Sequence, residues 1–248
     1  MKIEIAVTCH NFQKRFCWML SSIIQQKDII DISINVAYLK DNGNPTTESV
    51  LNSFNNYIYY KNSFTSNNIK LQPLQFNKEE DLWRRGIVRN KQLEMSNADW
   101  IIYADADMIY PPDYFGKLST LLSNKFKNDS RVLFSGRYSN EVNNIEEVIN
   151  KYDYPMFINN AFDIIMQAKG RRICKNIGAG YCQILNVRSL KENGYYINND
   201  GMREKPWTFR SDKQIRQRLG KCKLDLPYQY HLQHLRDKDV GKHLEIQR

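Results

Sequence analysis

Two hydrophobic periods alternate along the first hundred residues. Lys2–Thr8 passes into an apolar run and is predicted to be a buried strand. Gln13–Gln26 then places Phe16, Met19, Leu20, Ile23 and Ile24 at helical spacing, with Arg15 and Gln25 on the other side. Ile32–Leu39 alternates as a strand does and stops at the turn cluster Asp41-Asn42-Gly43-Asn44-Pro45. Glu48–Tyr60 is predicted helical and Ile69–Phe76 a third strand. Arg85–Ser96 is predicted to be a helix that packs through Ile87, Val88, Leu93 and Met95. Asp99–Ala104 is a short, strongly apolar strand that runs directly into acid. Strand alternating with helix in this way implies an α/β fold with a mostly parallel, doubly wound sheet. In such sheets ligands bind beyond the carboxyl ends of the strands, and Asp41 and Asp105–Asp107 both fall there.

The second half is less regular. Tyr114–Phe126, Asn144–Ile149, Asn159–Gln167 and Ser211–Leu219 are predicted helices, Arg131–Arg137 and Ile184–Val187 strands, and Arg236–Arg248 a polar tail. No repeat, low-complexity linker or clear boundary interrupts the chain, so one domain of two halves is expected.

Composition narrows the class. A chain of 248 residues with 42% hydrophobic and 25% charged residues is ordinary for a soluble globular protein with a proper core. No apolar run approaches the roughly 20 residues needed to span a bilayer. The amino terminus enters a strand with no cleavage signal, and the five cysteines are scattered without a CxxC pair. A reducing cytoplasm is therefore the expected location. The formal charge of +9 implies attraction to an anion, whether a nucleic acid, an acidic membrane face, or a nucleotide and a charged acceptor.

Asp105-Ala106-Asp107 carries the candidate chemistry. A carboxylate at the end of a buried strand costs desolvation energy unless a positive charge compensates it. Mg²⁺ or Mn²⁺ does so with one or two carboxylates, completing its shell with phosphate oxygens and water. Small Ala106 leaves room for a nucleotide against the backbone. As a bare tripeptide this is also a common solvated turn, so its surroundings decide.

Those surroundings resemble a known family. Trp83–Leu93 with Arg89-Asn90 inside it, Ala98–Ile109, and Pro112-Asp113-Tyr114-Phe115 are similar to the centre of the family 2 glycosyltransferases. There an Ala-Arg-Asn helix precedes an apolar strand, an Asp-x-Asp and a Pro-Asp-Tyr helix start. Val7–Asn11 and Ser21–Gln26 resemble the family's first strand and the end of its first helix. The resemblance implies a GT-A fold and transfer from a nucleotide-sugar, with a UDP-sugar as the expected donor and Mn²⁺ or Mg²⁺ as the cation. It places Thr8 and Asn11 beside the nucleoside, Asp41 on base or ribose, and Arg89 near the diphosphate. Asp107 is the direct metal ligand, and Asp105 meets the metal or the ribose. Leu39–Gly43 offers one acid where the family usually shows two. Residues 1–110 become a donor half and residues 111–248 an acceptor half.

Downstream, Ile177–Asn186 and Trp207–Asp212 resemble galactosyltransferase-type carboxyl-terminal modules, although Ser211-Asp212 keeps only the second acid of the usual Glu-Asp. By that resemblance Asp212 is the base of an inverting transfer. GT-A enzymes often add a histidine ligand near the end of the chain. His231 and His234 both match that place, and His234 is favoured. Strand positions three apart face opposite ways, so the two are not expected on one ion. Basic clusters at Arg84-Arg85, Lys169–Arg172 and Lys213–Lys223, with aromatics near them, suit an anionic acceptor. Two acceptors fit: hydroxymethylated DNA, or a surface glycan or lipid-linked saccharide reached by peripheral membrane contact. A nucleotidyltransferase would need a glycine-rich loop after the first strand, and Cys9–Gln13 has no glycine. A noncatalytic polyanion-binding module on the same scaffold is the alternative from another class.

Overall fold

Strand β1 (Ile3–Cys9) is buried on both faces, and the rest of the site is arranged around it. A computed structural model of the chain describes residues 1–28, 31–83, 85–139, 142–168, 172–174, 182–192 and 210–232. After β1 come α1 (Gln13–Ile24), β2 (Asp31–Leu39), α2 (Thr47–Phe64), β3 (Asn68–Phe76), α3 (Glu79–Trp83), α4 (Arg85–Met95) and β4 (Trp100–Asp105). The second half holds β5 (Met108–Ile109), α5 (Tyr114–Lys125), β6 (Val132–Phe134), β7 (Arg137–Ser139), α6 (Val142–Ile149) and α7 (Ala161–Gln167). It continues with β8 (Arg172–Cys174), β9 (Cys182–Asn186), α8 (Val187–Glu192), α9 (Arg210–Leu219), β10 (Lys221–Lys223) and β11 (Gln229–His231).

A seven-stranded sheet runs β10-β6-β9-β4-β1-β2-β3, and a four-stranded one β5-β11-β7-β8. β1 pairs in parallel with β2 on one side and β4 on the other, and β2 pairs in parallel with β3. The order of connection therefore reverses between β1 and β4, which opens a crevice at their carboxyl ends. β9 is antiparallel to both β4 and β6, so β6 again runs with β4. The expected mostly parallel α/β sheet is observed, with β9 as its reversed strand.

Two faces of the sheet are covered for different reasons. Ile3, Ile5, Val7 and Cys9 belong to the core built with α1 and α2. Helix α1 is buried nearly all round, because the sheet, α2 and α7 enclose it. Helix α2 buries only a stripe of Val50, Leu51, Phe54 and Ile58, and Thr46 caps it by accepting from the Ser49 amide at 3.0 Å. On the other face Ala6, Ile101 and Tyr103 pack with Leu93 of α4 and Ile215 of α9.

The structure corrects one predicted strand. Arg131–Arg137 is broken at Ser135-Gly136, so β6 stays in the large sheet and β7 enters the small one. A Cβ at Gly136 would overlap the Tyr228 ring, so any other residue would require that ring to move.

Glu4 sits buried within β1, on the side of α4. Asn35 donates to it at 3.4 Å, and burial raises its pKa above the ordinary 4.5 against the pull of Ser96, Asn35, Lys2 and Lys191. The folded chain therefore holds this proton more tightly than the unfolded one, so stability falls as pH rises through the raised value. Glu4→Gln is expected to melt higher than the parent at pH 8, with the difference vanishing below the ordinary value; thermal melts across pH 4–8 measure it.

Candidate metal and donor site

The site grows from the crevice between β1 and β4. Register places Thr8 directly beside Asp105 at the carboxyl edge. Along β4, Ile101, Tyr103 and Asp105 alternate onto the face covered by α4. The chain then turns through Ala106-Asp107 into β5. There β11 runs antiparallel to it, with His231 opposite Met108 and Tyr230 opposite Ile109. The Leu232 amide donates to the Asp107 carbonyl at 2.9 Å, locking that register. As a result His231 Nε2 lies 3.1 Å from Asp107 Oδ2, with Asp107 only 3% exposed.

Asp105, Asp107 and His231 each offer a ligand atom, and these atoms lie within 4.8 Å of one another. Two carboxylates and one imidazole form a donor set suited to Mn²⁺ or Mg²⁺ with phosphate oxygens in the remaining positions. A cation there would also offset the mutual repulsion of the acids. The residues fit the group.

The other expected residues are distributed along the same edge. Arg89 is 7% exposed, with its guanidinium 5.1 Å over the Tyr103 ring, and Tyr103 Oη donates to the Arg89 carbonyl at 2.9 Å. It is therefore a buried cation on the Asp105 face of the sheet rather than a helix-surface arginine. Asn11 holds a left-handed conformation, φ 59°, in the loop beyond β1. Asp41 organises the loop after β2. Its Oδ2 accepts from Thr47 Oγ1 at 2.7 Å and the Thr47 amide at 3.1 Å, and its Oδ1 from the Gly43 amide at 3.1 Å. Burial works to raise its pKa, but these hydrogen bonds outweigh it and hold the carboxyl below its ordinary range. His10 stands 3.8 Å from Glu79, and its pKa is lowered by burial against the pull of Glu79 and Asp41.

Asp212 falls in the first turn of α9, and its side chain lies outside the described residues. A single residue, Gly220 at φ 74°, joins α9 to β10, so the helix runs back along the sheet. Because β10 is parallel to β6, the first turn of α9 points toward the edge that carries Asp105. His234 lies outside the described residues. Among the described residues, the histidine brought to the two acids is His231, because β11 pairs with β5 at that register.

Behind the ligands is a buried polar knot that sequence reasoning missed. Gln229, two residues before His231 on β11, places its Nε2 2.5 Å from Tyr114 Oη, 2.6 Å from Ser135 Oγ and 3.1 Å from Cys182 Sγ, sharing its two protons among the three. Tyr114 Oη and Ser135 Oγ are themselves 2.9 Å apart. The knot ties β11 to α5, β9 and the end of β6. Burial pushes the Cys182 thiol up to about 12 and the Tyr114 phenol well above its usual value, so both stay neutral. No local sequence signal marks Gln229; only its alternation with His231 along a three-residue strand connects it to the site.

Comparison with known proteins bears on the fold. No family model and no curated protein matches the chain. Among solved structures it is similar to S. aureus TarS, with a TM-score of 0.58 and 14% identity over 99% of this chain and 39% of TarS. TarS 1-349 in complex with UDP-GlcNAc gives 0.54 and 17% identity over 93% of this chain and 58% of that one. The mannosyltransferase PcManGT from Pyrobaculum calidifontis, in complex with GDP-Man and Mn²⁺, gives 0.55 and 8% over 99% and 61%. The fold is GT-A. The chain spans less than two thirds of the length of each of these neighbours. Among the described residues of this GT-A domain, no helix is long and apolar enough to cross a membrane.

Replacing Gln229 by leucine leaves Tyr114 Oη and Ser135 Oγ without that donor. The variant is expected to lose about 1–3 kcal/mol of stability, read by urea unfolding.

Proposed function

We propose that the chain is a metal-dependent glycosyltransferase that moves a sugar from a nucleotide-sugar to a hydroxyl acceptor. The observation that carries this reading is the convergence of Asp105, Asp107 and His231 at the β1/β4 switch point of a GT-A sheet. The GT-A neighbours were solved with UDP, UDP-GlcNAc, or GDP-Man and Mn²⁺, which supports a nucleotide-sugar donor and a cation of this type. A UDP-sugar is the expected donor.

Each residue then has a role. Asp107 and His231 hold Mn²⁺ or Mg²⁺, and Asp105 joins them or meets the ribose. The cation supplies Lewis-acid stabilisation of the leaving diphosphate. Arg89, already desolvated against Tyr103, adds fixed positive charge on the Asp105 face. Thr8 and Asn11 border the nucleoside, and Asp41 meets base or ribose from a loop held by Thr47 and Gly43. Asp212 takes the proton from the acceptor hydroxyl as its oxygen attacks the anomeric carbon. The bond to the diphosphate breaks on the opposite face, which inverts that centre. Arg218, Lys221 and Lys223 are exposed along α9 and β10, which supports an anionic acceptor. Hydroxymethylated duplex DNA and an anionic glycan both meet that requirement; salt-dependent binding to each separates them.

Incubating the protein with Mn²⁺ and a panel of UDP- and GDP-sugars is expected to release nucleoside diphosphate. Asp107→Asn and His231→Ala are expected to lower that rate by about 100-fold or more and to weaken Mn²⁺ binding measured by calorimetry. No turnover and no binding with any donor would overturn the reading.

A further inference from the structure

Asp105 and Asp107 reach the site on continuous backbone from β4, whereas His231 arrives on a separate strand of three residues. Backbone pairing holds that strand on both sides. Tyr230 and His231 oppose Ile109 and Met108, and Gln229–His231 run beside Arg137–Ser139. Ladders this short name a strand's neighbours without fixing its register, because a ladder shifted by two residues makes the same kinds of backbone bond. Side chains must choose.

A shift by one residue is opposed by the alternation itself. Tyr228, Tyr230 and Leu232 take one set of positions and Gln229 and His231 the other, so one step exchanges polar for apolar throughout. A shift by two keeps that pattern. It would set Gln229 or Gln233 beside Asp107 instead of His231, and Pro227 or His231 in the place of Gln229. That place is what tells the registers apart. There one buried amide nitrogen meets Tyr114 Oη of α5, Ser135 Oγ just past β6 and Cys182 Sγ at the start of β9. An amide nitrogen brings two protons to the spot, a neutral imidazole nitrogen at most one, and proline none. A register that left these buried groups short of a donor would lose stability. The reference point is also the right one. Cys182 pairs with Ala104, the residue before Asp105, so the amide aligns β11 against the strand that carries the acids.

We propose that Gln229 is the positioning residue of the cation site: its buried amide fixes the register of β11 and so delivers His231, and not a glutamine, to Asp105 and Asp107. The consequence for cation binding rests on the metal-dependent reading above, while the register belongs to the protein without a cation.

Mn²⁺ binding to the full chain tests this, followed by calorimetry and by the coupling of an imidazole nitrogen to the bound ion in pulsed electron paramagnetic resonance. The parent is expected to show that coupling and His231→Ala to remove it. Gln229→Leu should weaken Mn²⁺ binding at least about tenfold and lose the coupling while still folded at the assay temperature. Tyr114→Phe removes one of the three contacts and should move both readouts the same way by less. Val50→Ala, which empties core space under α2 and lowers the melting temperature without touching β11, should keep both. Without metal, hydrogen exchange at the Leu232 amide, which donates to the Asp107 carbonyl, should quicken in Gln229→Leu and not in Val50→Ala. The proposal is overturned if Gln229→Leu keeps the parent's affinity and coupling, if Val50→Ala loses them equally, or if exchange at Leu232 is unchanged. A parent that takes up no Mn²⁺ would instead overturn the metal-dependent reading, and exchange at Leu232 would still decide the register.

Discussion

Two carboxylates at the end of a buried strand cannot be left uncompensated in a low-dielectric setting. Asp105 and Asp107 create that demand, and much of the second half of the chain is arranged to meet it. The small sheet exists where β5 and β7 take β11 between them, and β11 carries His231 to Asp107. Strand β11 spans only three residues, Gln229–His231, too few for ladder hydrogen bonds alone to hold it rigidly. Gln229 supplies the rest by rooting β11 in Tyr114, Ser135 and Cys182. The knot is buried and neutral, since burial keeps the Cys182 thiol and the Tyr114 phenol protonated. A donor set held this way would be positioned before a cation arrived, which would lower the cost of binding one.

The large sheet sets the other boundary. A parallel sheet whose connections reverse direction leaves a crevice at one edge, and β1 and β4 reverse it beside Thr8 and Asp105. Loops after β1 and β2 then face the crevice with polar groups already committed. Asp41 is the clearest case, its oxygens occupied by Thr47 and Gly43. A nucleoside meeting that loop would find a fixed acceptor rather than a mobile side chain.

The legible part of this design was the local part. Buried strands and amphipathic helices of the first half carry enough residues for their period to show, and so does the apolar strand that ends in Asp105. Strands of two or three residues carry no period, so β5, β7 and β11 were invisible as a sheet. That is why spacing alone could not bring His231 to Asp107: its place depends on which residue of β11 opposes Met108, a long-range register. The break at Gly136 was hidden for the same reason, because the ring that a Cβ there would overlap comes from Tyr228, far along the chain. Arg89 is placed by a long-range contact of the same kind, its guanidinium lying over the ring of Tyr103 on β4.

Net charge also resolves differently in three dimensions than in composition. A formal +9 invites a single polyanion-binding face. The strand order instead separates the basic features. Lys61 and Lys70 lie on α2 and β3 at one border of the large sheet, while Arg218, Lys221 and Lys223 lie on α9 and β10 at the other. Seven strands spaced about 4.8 Å apart put roughly 30 Å between those borders, several Debye lengths at physiological salt. The two groups therefore do not form one continuous basic face. Only the α2 group carries Tyr59, Tyr60 and Phe64, whereas the α9 group continues from the helix whose first turn points toward Asp105.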